Sequence, residues 1–168
     1  LGIEAGSQMV RQEVSKGSFK EVNIRKITSM INEHNINIIA NYIVGFPEDT
    51  YSTMTSTLNL ALELNAEMMN VYPCQALPGS PLYIKAQQEG WDIPREYEEF
   101  AFLSYECKPL PTKTLTSAEV LGFRDYFWQT YFANPAYLDK VESSFGIAQR
   151  ENVEGMAKHK LKRKILEN

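Results

Sequence analysis

The chain has 168 residues, of which 43% are hydrophobic and 23% are charged, and its formal net charge is −4. This length is enough for one sizeable domain with its own core, and the composition is typical of a globular protein. The small negative charge provides no general attraction to nucleic acid or to an anionic membrane. No apolar run reaches the length of a transmembrane helix, and the first residues do not resemble a signal peptide.

The first 90 residues alternate between strand and helix patterns. A strand ends at about residue 3, and a short helix follows through Met9, Val10 and Val14 and ends at Lys16 and Gly17. The later elements are a helix at about 20–35, a β-branched strand at 36–44, a helix at 51–65, a strand at 67–72, a loop at 73–81 and a short helix at 82–89. Alternation at these lengths predicts βαβ units and a parallel sheet, hence an α/β fold.

The composition changes after about residue 91, where we place a soft domain boundary. Prolines, acids and aromatics follow, and Thr116 with Glu119 forms a capping-box pattern before a mainly helical region, with helices at about 117–133, 135–144 and 149–166. We therefore predict an α/β region at 1–90 and a helical extension at 91–168.

Polar and glycine-containing turns follow each of the three predicted strands, at residues 2–8, 45–48 and 73–81. Because the carboxyl ends of parallel strands meet at one edge of a sheet, these turns are expected to lie side by side and to outline a pocket. In the first turn, Glu4 can accept hydrogen bonds from a ligand, and Ser7 opens a helix. In the second, Phe46 can contact a flat ligand while Glu48 caps the helix. The alternative is that all three are ordinary loops, with Phe46 in the core.

Other candidate groups have plainer interpretations. Cys74 and Cys107 are far apart and form no Cys-x-x-Cys pair, so no zinc or cluster motif is encoded. Two reduced thiols are favoured for a cytoplasmic protein, and a disulfide between them is the alternative. His34 and His159 have no partners at metal-binding spacing. The aromatic residues at 123–132 favour core or interface packing, and the basic segment 158–164 favours a solvated helix end over nucleic-acid binding.

Three segments together resemble the radical SAM superfamily, and specifically its cobalamin-binding branch of Fe–S oxidoreductases. They are residues 1–8 (LGIEAGSQ), 43–48 (IVGFPE) and 77–83 (LPGSPLY). The resemblance implies that residues 1–90 form the fourth to sixth strands of a partial (β/α)6 barrel, followed by the branch's C-terminal extension. It also implies a cytoplasmic enzyme that binds S-adenosylmethionine.

The same resemblance assigns cofactor-binding positions. It places Glu4 and Ser7 near the ribose or methionyl part of S-adenosylmethionine, and it places Tyr72 and Pro73 close to the adenine. The fifth-strand pattern of the family, Gly-x-Ile-x-Gly-x-x-Glu, corresponds here to Asn41, Ile43, Gly45 and Glu48. Asn41 departs from that pattern, because the family has glycine at this position. No catalytic or metal-binding residue is predicted within the chain itself.

The family's three-cysteine motif for a [4Fe–4S] cluster is absent from the sequence, as is a cobalamin-binding Asp-x-His-x-x-Gly segment. We therefore expect the C-terminal part of a longer enzyme whose missing N-terminal half carries the cluster and, in this branch, cobalamin. Such a parent would reduce S-adenosylmethionine and use the 5′-deoxyadenosyl radical on a small-molecule substrate. The chain alone is expected to be inactive.

Two alternatives remain open at the sequence level. In the first, the chain is a non-catalytic interaction module that uses its aromatic helix and basic tail. In the second, it is an α/β domain that binds another nucleotide. The absence of a phosphate-binding loop counts against the nucleotide alternative. A partial barrel also exposes strand edges, so we expect the chain to self-associate or to cover an edge with its own helices.

Overall fold

A computed structural model describes residues 1–14 and 22–167, with side chains described at 1–12 and 22–167. The predicted helix end at Lys16 and Gly17 lies outside the described residues. Within them, three parallel strands form a sheet in the order β1–β2–β3, with β1 at Gly2–Glu4, β2 at Ile39–Val44 and β3 at Met68–Pro73. The predicted α/β fold with a parallel sheet is therefore confirmed.

Helices connect and flank these strands. They are α1 (Gln8–Val14), α2 (Ile24–Glu33), α3 (Tyr51–Leu64), α4 (Pro81–Gln88), α5 (Tyr97–Phe100), α6 (Ser117–Phe132), α7 (Pro135–Phe145) and α8 (Ile147–Ala157). The predicted capping box of Thr116 and Glu119 starts α6. Helix α2 starts later than the predicted residue 20, because the Asn23 side chain accepts the Lys26 N–H and fixes the first turn there.

The sheet buries one face against helices. Along β2, the buried Ala40, Tyr42 and Val44 alternate with the more exposed Ile39, Asn41 and Ile43. The buried side chains join α3 and α6 in the main core, which includes Met54, Leu58, Phe123, Phe127 and Tyr131. The opposite face, here called the open face, carries Asn41 and Asn70, whose carboxamides are joined by a hydrogen bond of 2.9 Å.

A second apolar cluster closes the carboxyl end of the sheet. It consists of Ala5, Val10, Phe46, Cys74, Ala76, Ala86 and Leu110. Only 7% of Phe46 is exposed, so its ring is a core side chain and does not present a flat surface for a ligand. Of the two interpretations of Phe46, the structure supports core packing.

The C-terminal segment differs from the prediction. Helix α8 ends at Ala157 instead of near residue 166, and a 3-10 turn follows at Lys164–Leu166. Arg163 is buried: its guanidinium binds both carboxylate oxygens of Asp125 and donates to the carbonyl oxygens of Phe102 and Ser104. The prediction of a uniformly solvated basic face is thus wrong for Arg163, because this side chain anchors the tail to α6.

Asp125 is the charge on which this anchor depends, since it also binds Arg124 at 2.8 Å. We predict that Asp125→Asn lowers the free energy of unfolding by about 3 kcal/mol, because it leaves a buried guanidinium without its counter-charge. Lys164→Gln removes the exposed pair of Lys164 with Glu106 and should cost less than about 1 kcal/mol. Urea unfolding measures both, and equal costs for the two variants would show that the buried anchor is not important for stability.

Candidate functional site

The three strand-ending turns meet at one edge of the sheet, as their sequence positions predict. Ile43 pairs with Tyr72 and Val44 with Pro73, and the Cys74 N–H donates to the Val44 carbonyl oxygen at 2.7 Å. Glu4 is the last residue of β1 and lies in register with Tyr42. The structure therefore brings the ends of all three strands together.

Glu4 has an unusual backbone conformation. Its φ is +65°, and the Ala5 N–H donates to the Ile3 carbonyl oxygen at 2.9 Å, so Glu4 is the centre of a tight three-residue turn. A residue other than glycine adopts a positive φ only at a cost in free energy. Such strain is typical of positions where a functional side chain must be aimed in a fixed direction.

The Glu4 side chain folds back over Gly2. A Cβ atom on Gly2 would lie 2.9 Å from Glu4 Oε1, so glycine at this position leaves room for the carboxylate. Among the described residues, none donates a hydrogen bond to this carboxylate or forms an ion pair with it. Burial of this half-buried group raises its pKa above the ordinary value. Glu4 is therefore a strained, partly desolvated carboxylate with room for an external donor.

The other residues of the first turn have internal roles. Ser7 Oγ accepts the Val10 N–H in a long contact of 3.5 Å, consistent with capping of α1. A Cβ on Gly6 would lie 2.4 Å from the Ser56 carbonyl oxygen, and the Gly6 N–H donates to Thr57 Oγ1. Glycine at position 6 is therefore required by the close approach of α3.

Gly45 is likewise required by packing. Its φ is +85°, and a Cβ there would lie 2.3 Å from Val120 Cγ1 on α6. Its N–H and that of Phe46 both donate to Asp49 Oδ2 at 3.0 Å. Both amides thus have an internal acceptor, and the glycine admits α6.

Glu48 does not cap α3, contrary to the prediction. Thr50 is the N-cap and exchanges hydrogen bonds with Thr53, because a hydroxyl at this position reaches the third amide of the helix. Glu48 instead pairs with Lys113 at 2.6 Å, at the surface next to the turn. Its carboxylate faces the loop before α6.

Ile43, Tyr72 and Pro73 line the end of β2 and β3. Ile43 is half-buried and packs on the second cluster, and the Tyr72 ring meets the Phe102 ring edge-on at 5.0 Å between centroids. Asn41, where the radical SAM pattern has glycine, uses its carboxamide oxygen to accept from Asn70. These contacts order the open face beside the three turns.

Neither cysteine is suited to metal binding. Cys74 and Cys107 are free and buried, and burial raises the pKa of Cys74 to about 12 and that of Cys107 to about 11, so both remain thiols at neutral pH. Among the side chains of residues 1–12 and 22–167, no group of three His, Cys, Asp or Glu is placed to hold a metal ion. These side chains do not fit a [4Fe–4S] cluster, which needs several thiolates.

The fold and the site together define a class of protein, namely α/β proteins with a parallel sheet. In this class, ligands bind at the turns that follow the carboxyl ends of the strands. Sequence comparison then points to particular proteins. The chain is 32% identical over 85 residues to the tRNA-2-methylthio-N(6)-dimethylallyladenosine synthases of Mannheimia succiniciproducens and of Haemophilus influenzae strain PittEE. These synthases are radical SAM enzymes, so the similarity agrees with the superfamily at this coarse level.

The similarity is partial. It covers 48% of this chain and 17% of each synthase, and no family model matches the chain. The names of these relatives make no reference to cobalamin, so the cobalamin branch stays a prediction. Across residues 1–14 and 22–167, the helices are too short or too polar to cross a bilayer.

We predict that Glu4→Gln stabilises the chain at neutral pH. A raised folded-state pKa favours the protonated carboxyl group, so the associated stability is complete at low pH and is lost as the pH rises through the folded-state pKa. Glutamine stays neutral, so the variant should have the higher urea midpoint at pH 7, and the difference should vanish near pH 3.5. A lower midpoint for the variant at pH 7 would reveal a structural partner of Glu4.

We also predict that Gly45→Ala lowers the free energy of unfolding by about 2–4 kcal/mol, because it combines positive-φ strain with overpacking against Val120. In a double-mutant cycle with Val120→Ala, the second change should recover the overpacking part, giving a coupling of about 1 kcal/mol or more. Strictly additive effects would contradict the steric account.

Proposed function

We propose that the chain is the C-terminal part of a longer radical SAM iron–sulfur enzyme, in which it supplies part of the wall around S-adenosylmethionine and the substrate. Similarity to radical SAM synthases supports the class, and coverage of only 17% of their length is consistent with a part of a larger enzyme. The proposal concerns the reductive cleavage of S-adenosylmethionine and not the tRNA substrate of those synthases. The chain by itself is proposed to be inactive.

The observation that carries this proposal is the geometry of Glu4. A strained turn at the end of β1 holds a half-buried carboxylate over Gly2, and no described residue donates to it. S-adenosylmethionine offers an amino group and two ribose hydroxyls as donors. A carboxylate that loses water on burial and then gains such a donor recovers a charge-assisted hydrogen bond. Glu4 is therefore suited to orient this ligand at the sheet edge.

The remaining predicted positions have supporting roles in the proposal. The half-buried Ile43 and Tyr72 form an apolar surface on the open face, on which an adenine ring would pack, whereas Pro73 is buried and is not part of that surface. Gly45 and Glu48 act indirectly: Gly45 lets α6 approach, and Glu48 holds the loop before α6 through Lys113. Ser7 Oγ lies at the amino end of α1, three residues after Glu4 in the sequence. No reaction step is assigned to the residues of this chain, because they do not fit the iron–sulfur cluster.

The test uses the full-length parent protein, reconstituted anaerobically with iron and sulfide and then reduced. It should convert S-adenosylmethionine to methionine and 5′-deoxyadenosine, while the 168-residue chain alone should not. Glu4→Gln in the parent should raise KM for S-adenosylmethionine by roughly tenfold, as expected for loss of a hydrogen bond to a charged group. Glu151→Gln is the matched control, because Glu151 is an exposed carboxylate on α8.

Two outcomes would overturn the proposal. A reconstituted parent with no cluster and no cleavage product would exclude the reaction class. Equal KM values for the Glu4→Gln and Glu151→Gln parents would retain the class but remove Glu4 from the binding wall.

A second candidate is a non-catalytic module that binds nucleic acid through its basic tail. Lys158, Lys160 and Lys162 are exposed, which favours this candidate, whereas Arg163 is buried and Lys164 pairs with Glu106. Salt-dependent binding of single-stranded RNA that is lost on replacing the three exposed lysines with glutamine would support it. Absence of binding at low salt would exclude it.

The edges of the sheet lead to a further prediction for the isolated chain. Side chains from α6 and α7 reach the β3 side: Arg124 donates to the Val71 carbonyl oxygen, Tyr131 to that of Ala66 and Tyr137 to that of Glu67. Strand β1 is the other edge, and exposed edges pair with other chains. We expect sedimentation equilibrium to show a monomer–dimer equilibrium that shifts with concentration. A monomer over the whole accessible range would contradict pairing through β1.

A further inference from the structure

A cavity of about 280 Å³ lies on the β3 side of the sheet, separate from the three turns. Strand β3 contributes Asn70, the loop after α5 contributes Phe102, α6 contributes Trp128 and Gln129, and His159 closes the side after α8. Strands β1 and β3 occupy opposite edges of the sheet, roughly 10 Å apart by normal strand spacing, so the cavity is distinct from the surroundings of Glu4.

The floor of this cavity is fixed by charged groups that bind each other. Asp125 binds both Arg124 and Arg163, and Arg124 also donates to the Val71 carbonyl oxygen. The Arg124 guanidinium lies 5.3 Å from the centre of the Phe102 ring, which holds that ring in place. Because the Asp125 carboxylate is already bound on both of its oxygens, it is a supporting group and not a ligand-binding group.

The walls are mainly apolar and aromatic. Trp128 and Phe102 are half-buried, and Met156 supplies a flexible thioether that can adapt to a ring. Half-buried aromatic rings around a cavity offer faces on which a planar group can stack. The volume is just below the range of about 300–1,000 Å³ that holds drug-sized ligands, so the space matches one planar ring system.

Polar groups at the rim provide directional recognition. The carboxamide of Gln129 and the imidazole of His159 bond to no other described side chain or backbone group. Asn70 also borders the cavity, and its amide nitrogen donates to Asn41 on the open face. A carboxamide offers both donors and an acceptor, which match the in-plane edge of a nitrogen heterocycle.

We propose that this cavity binds a neutral planar nitrogen heterocycle of about the size of a purine base, stacked on Trp128 and held at its polar edge by Gln129 and His159. This proposal goes beyond radical chemistry and does not depend on it. An apolar pocket with a few convergent polar groups is the kind of surface that binds small molecules. The apolar walls exclude water, and the rim selects a ring with donors and acceptors over a plain hydrocarbon ring.

The test uses adenosine as the probe and the indole N–H resonance of Trp128 as a local readout. The protein is the full 168-residue chain in a Trp91→Phe background, so that a single indole signal remains. Adenosine should shift this signal saturably, and benzyl alcohol should bind at least fivefold more weakly. Gln129→Ala should weaken adenosine binding by about fivefold, as expected for loss of one hydrogen bond. Gln149→Ala, an exposed carboxamide on α8, should have no effect.

The proposal is overturned if adenosine does not shift the Trp128 signal, or if Gln129→Ala and Gln149→Ala bind adenosine equally well. It is also overturned if benzyl alcohol binds as tightly as adenosine, because the polar rim would then contribute nothing. Trp128→Phe retains an aromatic ring and serves as a second variant, for which adenosine binding is followed by calorimetry and should be weaker but measurable. These results are independent of S-adenosylmethionine cleavage, so failure here leaves the proposed function untouched.

Discussion

The rest of the structure depends on the turn between β2 and α3, and the buried carboxylate of Asp49 stabilises this turn. It is 2% exposed and accepts from the N–H groups of Gly45 and Phe46 and from the hydroxyl of Thr53, the last at 2.6 Å. Burial raises its pKa, and the three hydrogen bonds oppose that rise. One side chain thus connects the end of β2 with the first turn of α3.

The turn after β2 also contacts the segment that leads into α6, and α6 itself. The Lys113 N–H donates to the Pro47 carbonyl oxygen, and Thr114 donates to that of Asp49, which fixes the segment that leads into α6. Val120 of α6 then packs directly on Gly45. The turn after β2 therefore sets the position of α6, and α6 in turn carries Arg124 and Asp125, which hold the tail and the floor of the cavity beside β3.

Much of the fold could be predicted from the sequence, because strong local patterns agree with it. The β-branched run of β2 and the capping box of α6 specify element type without tertiary information. The parallel topology alone predicts that the carboxyl ends of the three strands lie at one edge of the sheet. The end of α8 could not be predicted, because the segment after Ala157 has a helical composition, whereas the burial of Arg163 against Asp125 is a contact between distant parts of the chain.

The candidate site was only partly predictable for a related reason. A glycine in a turn looks the same in the sequence whether it allows the close approach of a ligand or of another helix. Here Gly6 allows the close approach of α3, and Gly45 that of α6. Asp49 gave no distinct signal, because an acid near a helix start is common, whereas its role depends on burial. The aromatic and carboxamide groups around the cavity come from separate parts of the chain, so no local motif marks them.

Hydrogen exchange of the full-length parent with and without S-adenosylmethionine tests the central claim most directly, namely that the ends of these strands form part of its binding wall. The account predicts slower exchange in peptides that cover residues 4–7, 43–48 and 72–74 when the ligand is bound, with α7 and α8 unchanged. Binding of S-adenosylmethionine without protection in any of these three turns would contradict it.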